Sequence, residues 1–154
     1  INSFSKSQAL AGWRVGYVIA NKEIIQAVTS YQSHTTGNVS LLSQIAAQEI
    51  IKKGDKTKKF IQILKKRRKI VAKLLQTIPR ISYDLPKGAF YYFINVSRIE
   101  TNTEKFCEHL LEAGLALVPG EAFGSPGFVR LSFSASTSKL IKGIKIFKKI
   151  CKKY

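Results

Sequence analysis

The chain has 154 residues and 45% apolar content, a share that supports a folded core and excludes a disordered polymer. Its 26 Lys and Arg against 9 Asp and Glu give a formal charge of +17, which raises a nucleic-acid or anionic-membrane reading. No apolar run reaches bilayer length, the start shows no signal-peptide pattern, and no membrane association is expected.

Cys107 and Cys151 make no redox or metal-ligand spacing, and His34 and His109 stand alone, so no metal site is expected. The thiols read as half-buried groups in a reducing cytosol. The chain opens on Ile1 and lacks methionine throughout, which reads as a fragment.

In chain order, a short mixed segment ends at Lys6, and residues 13–20, rich in aromatic and β-branched types, predict a strand. Asn21 is placed to cap the next helix, with Glu23 in its first turn and Ile24, Ile25 and Val28 as its buried side. Residues 31–39 have the composition of a loop. Ser40 opens a helix through Leu41, Leu42, Ile45, Ala46 and Ile50 that ends near Gly54. A basic amphipathic helix follows over about residues 55–77, stopped by Pro79. Its apolar stripe runs through Phe60, Ile61, Ile63, Leu64, Ile70, Val71, Leu74 and Leu75, and its lysines form a solvated face. That pattern accounts for much of the charge, and zinc-finger and ribonucleoprotein motifs are absent. A basic nucleic-acid-binding module remains the alternative.

Beyond Pro79 the pattern changes to short strands over residues 80–84 and 89–96, separated by a turn at Pro86-Lys87-Gly88. Thr101 and Glu104 have capping-box spacing for a helix that buries Phe106, Leu110 and Leu111 and ends at Gly114. Strands at residues 115–118 and 128–134 flank a Gly/Pro-rich loop. A last helix over about residues 136–152 turns Leu140, Ile141, Ile144, Phe147 and Ile150 inward. Strands interleaved with helices predict an α/β unit with a mixed sheet.

Chemistry concentrates at Ser3-Phe4-Ser5-Lys6 and Gly12-Trp13-Arg14-Val15-Gly16-Tyr17. A lysine with a lowered pKa can form a Schiff base with a phosphorylated carbonyl compound, while hydroxyls and a guanidinium grip its phosphate. On spacing alone, an ordinary solvated lysine explains Lys6 better. Residues 2–17, however, closely resemble the lysine signature of class I, fold-type I, pyridoxal-phosphate-dependent aminotransferases: Ser-any-Ser-Lys, then Gly-Trp-Arg-any-Gly-Tyr. Pro86-Lys87-Gly88-Ala89-Phe90-Tyr91, Val118-Pro119-Gly120-Glu121-Ala122-Phe123-Gly124 and Val129-Arg130-Leu131-Ser132-Phe133 resemble three further motifs of that family, in the family's order.

The resemblance implies an α/β chain that is the C-terminal part of the pyridoxal-phosphate-dependent transferase fold. Residues 1–65 would finish the large cofactor-binding domain, exposing apolar surface there, and residues 66–154 would form the small C-terminal domain. It further implies a cytoplasmic homodimeric enzyme passing an amino group between an amino acid, aspartate by its lysine segment, and a 2-oxo acid such as 2-oxoglutarate. Lys6 would carry pyridoxal 5'-phosphate as a Schiff base and then move the proton at the substrate α-carbon, with Ser3, Ser5 and Arg14 on the phosphate. Arg130 would take the substrate α-carboxylate, Phe90 would line the site, and Asn38 would approach the partner subunit's site. The family's ring-nitrogen aspartate, its residues at the cofactor oxygen and its ring-stacking aromatic lie upstream of these residues, so the isolated chain is expected to be inactive. A lyase or decarboxylating synthase on the same fold is the other enzymatic reading, and aromatic, prephenate and alanine aminotransferases share these motifs.

Overall fold

A computed structural model describes residues 1–53 and 57–154, which fall into two units, Ile1–Ile61 and Gln62–Tyr154.

The first unit is built on a short ladder. β1 (Asn2–Ser3) pairs antiparallel with β2 (Gly16–Tyr17), Asn2 opposite Tyr17 and Ser3 opposite Gly16. Between them lie α1 (Phe4–Ser7) and a 3-10 turn, Ala11–Trp13. The strand expected over residues 13–20 is therefore confined to Gly16–Tyr17. Trp13 closes the turn and Arg14 is left-handed (φ 51°), and β1 offers only two residues to pair with. Strand propensity without a ladder partner does not make a strand.

α2 (Lys22–Thr35) starts as expected, the Asn21 side chain accepting the Ile24 N–H at 3.0 Å. Its apolar side is not buried: Ile24 and Val28 are 51% and 40% exposed, and no residue of the helix is buried in this structure. The helix also runs through the expected loop as far as Thr35. The Ser33 hydroxyl donates to the Ser30 carbonyl and the Thr35 hydroxyl to the Tyr31 carbonyl, so these polar side chains are satisfied within the helix. Gly37, at φ 67°, ends it by donating its N–H to the Gln32 carbonyl. α3 (Leu41–Lys53) follows Ser40; the expected helix end at Gly54 and helix start at Asp55 lie outside the described residues. The buried apolar residues of this unit are Phe4, Val15 and Ala47, flanked by Leu10 and Val39.

The division between units falls inside α4 (Lys58–Leu75). Val71 and Leu75 are fully buried and Leu64 and Leu74 pack against them, whereas Ile63 lies off the stripe and is exposed. The strands are β3 (Ser82–Tyr83), β4 (Tyr91–Asn95), β5 (Val118–Pro119) and β6 (Phe128–Ser132); the helices are α5 (Thr103–Glu112) and α6 (Thr137–Cys151). The sheet order is β3-β4-β6-β5, antiparallel throughout. A mixed sheet would place β4 and β5, joined through α5, side by side as parallel neighbours. β6 instead lies between them and runs against both, which is a split β-α-β arrangement.

Period-two alternation gives the sheet two different faces. Tyr92, Ile94, Val96, Val129, Leu131 and Phe133 are buried with Phe106, Leu110, Leu140, Ile144 and Phe147 from the helices. The Tyr92 hydroxyl donates to the Arg68 carbonyl at 2.7 Å and that of Tyr83 to the Ala72 carbonyl at 2.8 Å, tying α4 to the sheet. Lysines 65, 66, 69 and 73 of α4 and 139, 142, 145 and 149 of α6 are exposed.

Four local expectations change. The α5 cap is Asn102, accepting the Lys105 N–H at 3.0 Å, while Glu100 accepts the Asn102 N–H; the Thr101/Glu104 box does not form. Leu111 is 62% exposed, because Thr103, Phe106, Cys107 and Leu110 form the inward face of α5 and Leu111 lies beyond its edge. Both cysteines are buried rather than half-buried, and Ile141 and Ile150 of α6 are only half-buried.

Phe147→Ala should cost about 3–5 kcal/mol in urea unfolding followed by far-ultraviolet circular dichroism. Leu41→Ala, at a position 67% exposed, should stay within about 0.5 kcal/mol. Burial pushes the Cys107 thiol up to about 11, the Cys151 thiol up to about 12 and the Tyr92 hydroxyl up to about 12. The folded state then holds protons that the unfolded chain releases, so stability is full below about pH 9 and falls as pH rises through the folded values. Urea midpoints at neutral pH and at about pH 10.5 should show that loss, and equal midpoints would contradict it.

Candidate functional site

The Lys6 segment is a loop tied at several points. The Phe4 N–H donates to the Val15 carbonyl at 3.3 Å, the Leu10 N–H to the Phe4 carbonyl and the Trp13 N–H to the Leu10 carbonyl, both at 3.1 Å. The Ser43 hydroxyl of α3 donates to the Trp13 carbonyl at 2.7 Å. A Cβ on Gly16 would lie 2.8 Å from the Asn2 carbonyl oxygen, so the β1/β2 ladder requires glycine there. Beneath the loop, Phe4 and Val15 are buried, with the Phe4 ring 5.5 Å from that of Tyr17.

The polar residues ride on this frame. Ser3 caps α1, its hydroxyl oxygen accepting the Ser5 N–H at 3.1 Å, and Lys6 lies exposed in α1. Arg14 is exposed and donates from Nη1 to the Ala11 carbonyl at 3.3 Å. A primary amine, two hydroxyls and a guanidinium thus share one loop. That donor set fits a phosphorylated carbonyl compound. Asn38 is not on this loop; it follows α2, donates from Nδ2 to the Val39 carbonyl at 3.2 Å, and lines a cleft of about 420 Å³ with Val15, Gly16 and Gln32.

Within the second unit, the sheet face turned away from the helices carries Arg130, directly opposite Phe93 of β4 and Val118 of β5. Its guanidinium carbon lies 4.6 Å from the Tyr91 ring centroid and 4.5 Å from that of Phe123. Phe93 stacks on Phe128 at 4.9 Å and meets Phe123 edge-on at 6.1 Å. Phe90 accepts the Phe133 N–H through its carbonyl at 2.9 Å, and its ring lies 4.7 Å from that of Tyr91 while packing on the core. Phe90 therefore stands immediately before β4, the strand that pairs with the Arg130 strand β6.

Tyr91 and Phe123 are the residues that sequence reasoning passed over. Both stand inside the quoted motifs, and the alternation along β4 puts Tyr91 on the Arg130 face. The turn carrying Phe123, Gly120–Phe123, is closely packed: a Cβ on Gly120 would sit 2.1 Å from the Ser125 carbonyl oxygen and 2.7 Å from that of Phe128. The buried Thr103 hydroxyl donates to the Glu121 carboxylate and fastens the turn to the start of α5.

Among the described residues no three of His, Cys, Asp or Glu gather as a metal ion would need, and no helix is long and apolar enough to cross a membrane.

Residues 1–144 match the model of the family described as aminotransferase class I and II. The chain belongs to this family. It is 42% identical over 150 residues to the aspartate aminotransferase of Pyrococcus horikoshii, covering 93% of this chain and 38% of that protein. The crystal structure of the Thermotoga maritima aspartate aminotransferase superposes with a TM-score of 0.86 at 38% identity, covering 96% of this chain and 38% of that one. The Thermus thermophilus aspartate aminotransferase solved with maleate gives 0.83 at 32% identity, covering 92% and 38%. The chain thus spans well under half the length of these relatives. Every motif noted in the sequence falls inside the stretch that matches the class I and II aminotransferase model.

Gly120→Ala should destabilise the protein by about 1–3 kcal/mol in urea unfolding, because two carbonyl oxygens occupy the space. Gly88→Ala, with nothing within 4 Å of the added methyl, should stay within about 0.5 kcal/mol.

Proposed function

We propose that this chain supplies the lysine-bearing and carboxylate-binding portion of a pyridoxal-phosphate-dependent aminotransferase acting on aspartate and a 2-oxo acid, with 2-oxoglutarate as acceptor. The observation that carries the reading is the Lys6 loop, which carries an amine, two hydroxyls and a guanidinium inside the family match. Aspartate is favoured by the aspartate aminotransferases among the similar proteins, and a dicarboxylate by the maleate in the Thermus thermophilus structure.

Bound pyridoxal phosphate would supply the electron sink that lets the α-carbon lose its proton. The chain's own residues do the rest. The Lys6 amine holds the cofactor carbonyl and, once free, moves the proton at the substrate α-carbon. Ser3 and Ser5 donate hydroxyl protons to the phosphate, and Arg14 adds a charge-assisted contact. Arg130 offers a planar pair of N–H groups to the α-carboxylate, a geometry that lysine does not match. Phe90 lines the substrate site, and Asn38 approaches the site of a partner subunit.

In this reading residues 1–65 belong to a large cofactor domain and residues 66–154 to a small one, in a cytoplasmic homodimer. The apolar exposure of α2 and of Leu41, Leu42 and Ile45 supports a first part made to be covered by further protein. The isolated chain assigns no residue to the cofactor's ring nitrogen, so it is expected to turn over no aspartate.

Incubating the 154-residue chain with pyridoxal phosphate, reducing with borohydride and mapping peptides should find the label enriched at Lys6 over the other lysines. Arg14→Gln should lower that enrichment severalfold, on the order of one charge-assisted hydrogen bond. Labelling spread evenly over the lysines would count against the Lys6 assignment, and aspartate-to-2-oxoglutarate transamination by the isolated chain would refute its expected inactivity.

A further inference from the structure

A guanidinium that is to meet a carboxylate through two parallel hydrogen bonds must hold its plane, yet an arginine side chain has many rotamers. Arg130 is held by ring faces rather than by acceptors. Its guanidinium carbon stands 4.6 Å from the Tyr91 centroid and 4.5 Å from the Phe123 centroid, and among the described residues no hydrogen bond or ion pair engages the guanidinium. Contact with aromatic rings attracts the cation without using its N–H groups, which stay available to an incoming oxyanion. A carboxylate partner within the protein would hold the arginine as firmly but would compete with the substrate.

The two rings are placed differently. Tyr91 is fixed by the β4 ladder, two residues along from Phe93, which faces Arg130 directly. Phe123 comes from outside the ladder, on the turn that Gly120 packs and that Thr103 fastens through Glu121. It remains 46% exposed, so burial alone gives a weak reason for a phenylalanine there. Its contact with Arg130 gives a better one.

We infer that Tyr91 and Phe123 are positioning residues that clamp the Arg130 guanidinium and tune its affinity for a substrate carboxylate. The inference rests on the reading of Arg130 as the carboxylate receptor. It is tested on the 154-residue chain with nitrogen-15-labelled arginine, Arg130→Lys identifying the Arg130 Nε–H signal by its loss. Ring currents should shift the Arg130 side-chain protons upfield in the unaltered chain, and unshifted positions would overturn the clamp whatever the variants do. Titration with 2-oxoglutarate should move the Arg130 signal. Tyr91→Leu and Phe123→Leu should each weaken that binding about three- to tenfold with the melting temperature little changed, while Phe123→Tyr should keep it.

If 2-oxoglutarate leaves the Arg130 signal of the unaltered chain unmoved, the receptor reading fails and this inference with it. If the signal moves but the leucine variants bind as tightly as the unaltered chain, only the clamp fails.

Discussion

The second unit depends on strand β6 lying between β4 and β5 and running antiparallel to both. From that position its alternate residues serve opposite purposes. Val129 and Leu131 enter a core shared with three helices, and Arg130 between them is turned to the far face. The sheet can keep a charged side chain at its centre because one face is sealed by helices and the other is left to aromatic rings. Burying the cation instead would require a paired and hydrogen-bonded partner. Each ring on that face lies beside another ring or beside the guanidinium, so the apolar area and the charge are parts of one arrangement.

The first unit rests on a smaller economy of contacts. Two residue pairs of ladder, one obligatory glycine and a buried pair of Phe4 and Val15 hold the loop that carries Lys6. The loop is specified by backbone hydrogen bonds rather than by a large core. The rest of the unit, α2 and α3, leaves several large apolar side chains exposed. A segment of this kind has its local geometry written in its own residues, with only a small buried cluster behind it.

What could be read from the residues alone follows a physical division. Features set by neighbours in sequence were legible: the Asn21 cap, the inward Leu140, Ile144 and Phe147 of α6, and the motif placing Arg130 on a strand. Features set by distant partners were not. Val18 and Ile19 have strand composition, but none of the described residues pairs with them in a ladder, and Ile24 and Val28 have the spacing of a buried face with nothing described against it. The same limit hid the antiparallel sheet, because composition does not say which strand lies between β4 and β5. It also hid the pairing of Tyr91 and Phe123 around Arg130, which come from separate motifs and meet only through register. Thr103, which nothing in the sequence singles out, is fully buried and tied to Glu121.

The alternation along β6 also limits how this segment can change in length. Removing or adding a single residue between Phe128 and Ser132 would exchange its faces, driving the guanidinium of Arg130 into the hydrocarbon core and turning an aliphatic side chain toward the rings. Packing and the contact of Arg130 with the Tyr91 and Phe123 rings would be lost in the same event. Residues 97–101, which lead from β4 to the Asn102 cap of α5 outside the ladder, carry no such phase and can absorb length changes without reversing a face. Evolution along this stretch is thereby channelled into substitution in the strand and into insertion or deletion in the turn.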